Sequence, residues 1–234
     1  MSVIFYSMIF SMRYKRIILI LFILVSISGC AHKPEEIKPA EVLFQEATQL
    51  ATKKKVDKAT EIFMEVRTYY PGHDLARKSL ISIADLNFDE AYYDVAMESY
   101  KEYRLLYPTD LDASYSLYKI GLCYFNQMNS HDRDQTNTAL TIQTFEEFIR
   151  IYPDSPYVSE AEQKRTEARS SMAKHYLYIG KFYLKNKNNA AACKRFDYVK
   201  HHYPDIDLGE DIDALIVKSC KDTTEAHQAP ENHE

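Results

Sequence analysis

Small and aromatic side chains recur in a fixed order between polar positions along residues 47–204, and each recurrence closes on Tyr-Pro. The dipeptides are Tyr70-Pro71, Tyr107-Pro108, Tyr152-Pro153 and Tyr203-Pro204. Proline cannot continue a helix and pushes the residue before it out of helical angles, so each dipeptide marks a helix stop. Eight residues before each proline stands an aromatic: Phe63, Tyr100, Phe145 and Phe196. Twelve before stand Ala59, Ala96, Thr141 and Ala192, small enough for two helices to approach closely. Twenty-four before stand Ala47, Ala84 and Gly180, while the third unit reaches its equivalent, Gly121, only at thirty-two. The pattern predicts helix pairs over 40–53 and 56–69, 74–88 and 92–106, 111–127 and 137–151, and 156–185 and 189–202. A last helix is expected near 209–221.

A small residue, an aromatic three later in Ile-Gly-x-x-Tyr, then Ala, an aromatic and a closing proline resemble the tetratricopeptide repeat. Each such unit is a helix pair that cannot bury its apolar face alone, so neighbours stack and leave a concave groove. The resemblance implies an all-α superhelical solenoid of about four helix pairs plus a capping helix, covering residues 39–222. An irregular bundle with coincidental prolines would not keep four registers in agreement. The small positions 47, 84 and 121 are spaced by 37, but 121 and 180 by 59. An insertion around 126–138 interrupts the third unit, and the polar, breaker-free run 155–171 predicts a longer first helix in the fourth.

Residues 1–29 read differently. Arg13, Lys15 and Arg16 precede the apolar run from Ile17 to Val25, which is too short to cross about 30 Å of hydrocarbon. Ser26-Ile27-Ser28-Gly29-Cys30 follows and resembles a bacterial lipobox, in which the cysteine is lipidated and becomes the new N-terminus. The alternative is an uncleaved anchor with an incidental cysteine. On the lipoprotein reading, 1–29 is a cleaved signal and 30–38 a lipidated tether. Ala31, not Asp, follows Cys30, which by resemblance to Gram-negative sorting implies release to the outer membrane. Covalent lipid on Cys30 is the one non-protein group expected; no cofactor or metal is. Residues 223–234 are polar and expected to be a disordered tail.

Composition removes several function classes. The 234 residues include 19 Tyr, no Trp and five Gly, too few glycines to favour phosphate-cradling loops. The net charge of −5 argues against nucleic acid as a partner. Signal removal deletes three basic residues and no acidic one, so the remaining surface is more acidic still. Cys123, Cys193 and Cys220 are odd in number, which argues against a disulfide framework. Cys123 and Cys193 fall in expected helices and read as small core residues. The acidic stretch 205–213 fails the EF-hand spacing and reads as a turn capping the last helix. His201 and His202 are adjacent, so on a helix their rings diverge by about 100° and make a poor metal site. Neither P-loop nor hydrolase signatures occur, and no enzymatic activity is expected.

The insertion carries His131-Asp132-Arg133-Asp134-Gln135-Thr136. With the lipobox, the four Tyr-Pro stops, Tyr152-Pro153-Asp154-Ser155-Pro156-Tyr157 before a long helix containing Arg165, and Ala190-Ala191-Ala192-Cys193-Lys194-Arg195-Phe196, the chain resembles the BamD family from Cys30 to about Ile212. That family comprises lipoproteins of the outer-membrane β-barrel assembly machinery. The resemblance implies a periplasm-facing scaffold whose C-terminal half docks on the POTRA domains of the barrel protein BamA, alongside other assembly lipoproteins. Its N-terminal repeats would receive unfolded outer-membrane protein precursors. Asp132, Arg133, Asp134, Gln135 and Thr136 are the expected partner-binding residues, Arg133 being suited to a bidentate contact with a carboxylate. A salt-bridged cap that merely orders the insertion weighs equally, with Asp134 or Thr136 as helix N-cap. Tyr69, Tyr92, Tyr93 and Tyr103 are the candidate peptide groove, though rings of this kind also pack helix on helix. A full fifth helix pair, expected from the family, does not fit after Pro204. The rival readings are a lipoprotein scaffold of another envelope system such as Tol-Pal, and a periplasmic ligand-binding module.

Overall fold

The computed structural model describes residues 37–226, with side chains described through residue 221. Nine α-helices follow one another among the described residues: α1 Ala40–Thr52, α2 Val56–Tyr69, α3 Asp74–Asp89, α4 Tyr93–Leu106, α5 Asp112–Asn126, α6 Thr136–Ile151, α7 Val158–Lys185, α8 Asn189–His202 and α9 Ile212–Ala226. Each packs on its sequence neighbours, pairing α1 with α2, α3 with α4, α5 with α6 and α7 with α8. α9 closes the array against α8. This is the expected solenoid of tetratricopeptide repeats with one capping helix. The signal, the lipobox and Cys30, the tether through residue 36, and the tail beyond residue 226 lie outside the described residues. α9 itself runs four residues past the expected boundary at 222.

The Tyr-Pro stops act as the backbone chemistry dictates. Tyr70, Tyr107, Tyr152 and Tyr203 each leave the helix at φ between −124° and −133° and ψ between 45° and 58°. Each still donates its N–H to the carbonyl four residues back, so the last turn is closed before proline ends it. Within the pairs the turn is of a second kind. Lys54, Ala91 and Lys187 take positive φ of 56°, 60° and 61°. The next N–H then reaches back five residues, from Lys55 to Leu50, Tyr92 to Asn87 and Asn188 to Tyr183, at 2.8–3.0 Å. These are Schellman turns, built here without the usual glycine. The third pair alone replaces this turn with the loop 127–135.

Packing follows the small–aromatic register. Ala47 and Ala59 cluster with Phe63, Ala84 and Ala96 with Tyr100, and Ala192 with Phe196. Gly121 and Gly180 let the same aromatic come closer: a methyl group on Gly121 would lie 2.5 Å from Cε1 of Phe145, and one on Gly180 would press as hard on Phe196. Between the second and third pairs, the Tyr100 and Tyr115 hydroxyls both donate to Asp85 Oδ1, at 2.5 and 2.7 Å. Lys119 lies 3.3 Å above the centre of the Phe88 ring, a cation–π contact at the same junction.

One expectation is corrected. Cys193 and Cys220 form a disulfide that joins α8 to α9, with Cα atoms 5.2 Å apart. Cys193 is therefore half-buried and bonded, not a small core residue. The odd count misled because the unpaired member, Cys123, is fully buried on α5 and is removed from the pairing altogether. Burial pushes its thiol up to about 12, so it stays protonated and inert.

Candidate functional site

The loop 127–135 is held by its own side chains. Gln135, almost fully buried, donates through Nε2 to the carbonyls of Ser130 and Arg133 at 2.8 and 3.1 Å. Its Oε1 accepts from the Thr138 hydroxyl at 2.9 Å. Asp134 accepts from both the N–H and the hydroxyl of Thr136, at 3.0 and 3.1 Å, and so braces the start of α6, which begins one residue earlier than expected; the N-cap position itself is Gln135, neither Asp134 nor Thr136. Asn137 donates to the carbonyl of Gln127 at 3.0 Å and closes the base. The Ser130 hydroxyl donates to Asp132 and, with the backbone, holds its carboxyl below the usual range. Gln135, Asp134 and Thr136 thus shape the loop, whereas Asp132 and Arg133 are exposed on it. Among the described residues no carboxylate lies within 4.0 Å of the Arg133 guanidinium.

The loop is fastened to α7. The His131 carbonyl accepts from Nδ1–H of His175 at 2.6 Å, and the His131 ring meets Tyr178 edge-on at 5.8 Å. One turn further, Phe182 is 55% exposed, and Tyr178 itself is 47% exposed. Tyr178 and Phe182 share a helix face. Arg133 is exposed two residues along the same loop, which His131 fastens to α7 beside the exposed Tyr178. Sequence reasoning missed Tyr178 and Phe182. Their signal is phase: Ala168, Met172, Ala173, Leu177 and Gly180 mark the buried side of α7, and 178 and 182 fall off it. In the same helix Arg165 keeps its Nε buried without a hydrogen-bond partner.

The four tyrosines expected to line a groove are not brought together. Tyr103 is fully buried, and this corrects its assignment as a surface anchor. Its hydroxyl donates to Asp110 Oδ1 at 2.7 Å, and Arg77 donates both to that hydroxyl and to Asp110 Oδ2. The group clamps α3 and α4 to the turn before α5, whose Asp112 N–H Asp110 also caps at 2.9 Å. Tyr93 is half-buried against Phe88, ring centres 5.4 Å apart. Tyr69 and Tyr92 are exposed, but they flank opposite ends of α3, whose 16 residues span about 24 Å. Tyr92 sits beside Lys54, Lys58 and Glu90 in a polar hollow.

Asp110 supplies a pH test. Partial burial disfavours its charge, but the Tyr103 hydroxyl, the Asp112 N–H and Arg77 outweigh this and lower its pKa. A carboxyl lowered in the folded state contributes stability that is present above the unfolded value, about 3.9, and lost as pH falls through the folded one. Asp110→Asn is expected to lower stability at neutral pH and to flatten the loss of stability below pH ~4, read by urea titration across pH. An unchanged acid limb would show that the carboxylate contributes nothing through its charge.

Among the described residues no group of three or more His, Cys, Asp or Glu could hold a metal, and no helix is long and apolar enough to cross a membrane. The family model YfiO, described as "Outer membrane lipoprotein", matches residues 36–233. The chain is 29% identical over 180 residues to the outer membrane protein assembly factor BamD of Rickettsia prowazekii, covering 76% of this chain and 72% of that one. It is 27% identical to the protein of the same name from Caulobacter vibrioides, covering 74% of this chain but only 59% of that relative. The solved structure described as the "TPR2AB-domain:pHSP90-complex of yeast Sti1" superposes at TM-score 0.49 and 15% identity, over 80% of this chain and 73% of that one. The relatives' names are those of assembly factors, not enzymes.

Proposed function

Because the chain belongs to the YfiO family of outer-membrane lipoproteins, also named BamD, we propose that it is an outer-membrane-anchored scaffold of β-barrel assembly. Cys30 carries the lipid, and the solenoid faces the periplasm. The disulfide between Cys193 and Cys220 supports an oxidising compartment. The C-terminal half docks on the POTRA domains of a BamA-like barrel protein, and other assembly lipoproteins attend it. Unfolded outer-membrane precursors bind the N-terminal repeats, where Tyr92 remains exposed and Tyr103 does not. The observation that supports the docking is the fastening of the loop that exposes Arg133 to α7, where Tyr178 and Phe182 are also exposed. It combines an exposed guanidinium with aromatic area, the residue types that dominate binding energy at interfaces.

Affinity isolation of a tagged copy from gently solubilised envelopes, with mass spectrometry of partners and of the N-terminal peptide, tests the proposal. Stoichiometric recovery of a POTRA-bearing barrel protein with acylated Cys30 is expected. Arg133→Glu and Phe182→Glu should each weaken that recovery about tenfold or more, at unchanged thermal stability, since both side chains are exposed. Recovery of Tol-Pal components instead, or of no barrel protein, would overturn the assembly role.

A further inference from the structure

Five of the exposed apolar side chains in and next to the first two repeats gather at one edge, whereas Tyr92 and Val95 lie at the other. Leu111 is 93% exposed and Leu105 80%, with Leu106, Tyr69 and Val42 each about half exposed. Val42 lies in the first turn of α1, Tyr69 ends α2, Leu105 and Leu106 end α4, and Leu111 precedes α5. Antiparallel pairing puts all of these helix ends at one edge of the array. Two contacts bind the edge together: Glu41 pairs with His73 at 3.3 Å, and Arg77 joins Asp74 to Asp110. The other edge carries Lys53, Lys54, Lys55 and Lys58, all exposed. Among them stand the exposed Asp57, Asp89, Glu90 and Asp94, so this edge is densely charged, with Tyr92 and Val95 as its exposed apolar side chains, whereas three exposed leucines gather at the first edge.

We propose that the apolar edge rests on the lipid surface of the outer membrane, with Leu105, Leu106 and Leu111 inserted at the headgroup–acyl boundary and Tyr69 and Val42 beside them. This rests on the reading of Cys30 as the lipid attachment site. The chain supplies the reason. α1 begins at Ala40 on this same edge, and the eight residues from Ala31 to Lys38 reach at most about 30 Å even when extended. A solenoid tethered so briefly, from that end of α1, presents that edge to the bilayer. Exposed leucines with a neighbouring tyrosine suit the interface, where apolar side chains enter and a phenol stays at the headgroups. Arg77 pairs with two of the carboxylates on this edge, Asp74 and Asp110, and the leucines make the proposed contact an apolar one, expected to be insensitive to salt.

The test uses the lipidated protein reconstituted in phosphatidylcholine vesicles. Leu111→Cys and, on the opposite edge, Lys55→Cys carry nitroxide labels; Cys123 is buried and the other two cysteines are bonded, so labelling is selective. Collision with oxygen, which partitions into lipid, is compared with collision with a water-soluble nickel chelate. The oxygen-to-nickel ratio is expected to be several-fold higher at 111 than at 55 and unchanged in high salt. Equal ratios, with the protein floating with the vesicles, would overturn the edge contact and leave the anchor standing. Protection of 111 from both reagents would mean that a second copy covers the edge, which also overturns it. Failure to float at all would overturn the anchor and the contact together.

Discussion

Gly121→Ala is expected to destabilise the protein by about 3 kcal/mol, the upper end of ordinary overpacking. The usual direction is the reverse, since alanine is the better residue inside a helix by about 1 kcal/mol. Here the added methyl would sit 2.5 Å from the ring of Phe145. That ring is fully buried between Tyr118, Phe148 and their neighbours and has nowhere to go. Gly180→Ala should behave the same way against Phe196. Urea unfolding followed by circular dichroism reads the change as a lower midpoint at constant slope. Pairing Gly121→Ala with Phe145→Leu should recover part of the loss by making room for the methyl. A midpoint that rose instead would mean that the two helices are not held at this separation.

The second large effect belongs to the disulfide. Cys193→Ser, or reduction of the native bond, should cost the docking of α9 about 2–4 kcal/mol, as expected for a closed loop of this length. The bond spans 27 positions and clips a helix that, among the described residues, packs Ile212, Leu215 and Ile216, with Leu208 of the preceding loop, on the cluster of Leu177, Ala192 and Phe196. A terminal element of a repeat array has a neighbour on one side only, so the loss stays local. Hydrogen exchange should therefore show α9 losing protection on adding reductant while α1 to α6 keep theirs. Equal protection with and without reductant would show that apolar packing alone holds the helix. Both cysteines are half-buried rather than sealed in the core.

Tyr69 and Tyr103 show where sequence reasoning stops. Both are tyrosines near the ends of second helices, two and five residues before their prolines, and residue type alone does not separate them. Tyr103 lies one turn from Tyr100 and shares its inward face, and its hydroxyl is satisfied by Asp110 and Arg77, the latter 26 residues away in the chain. Tyr69 is the last residue of α2, where the helix has already reached the edge of the array. The insertion was legible in a different way. Its position, the aspartate that braces the start of α6 and its exposed arginine all follow from local chemistry. Its attachment to His175 and Tyr178, 44 and 47 positions on, does not.

The repeat, its helix stops and the glycine–aromatic register were determined by the sequence alone, because proline, glycine and ring size act within one helix pair whatever surrounds it. The family resemblance followed from the same local strings. Only the tertiary structure decided which cysteines meet, which tyrosines are covered and which exposed side chains form one surface. Each of those depends on where a stacked neighbour arrives, and that distance is set by packing between repeats rather than by spacing along the chain.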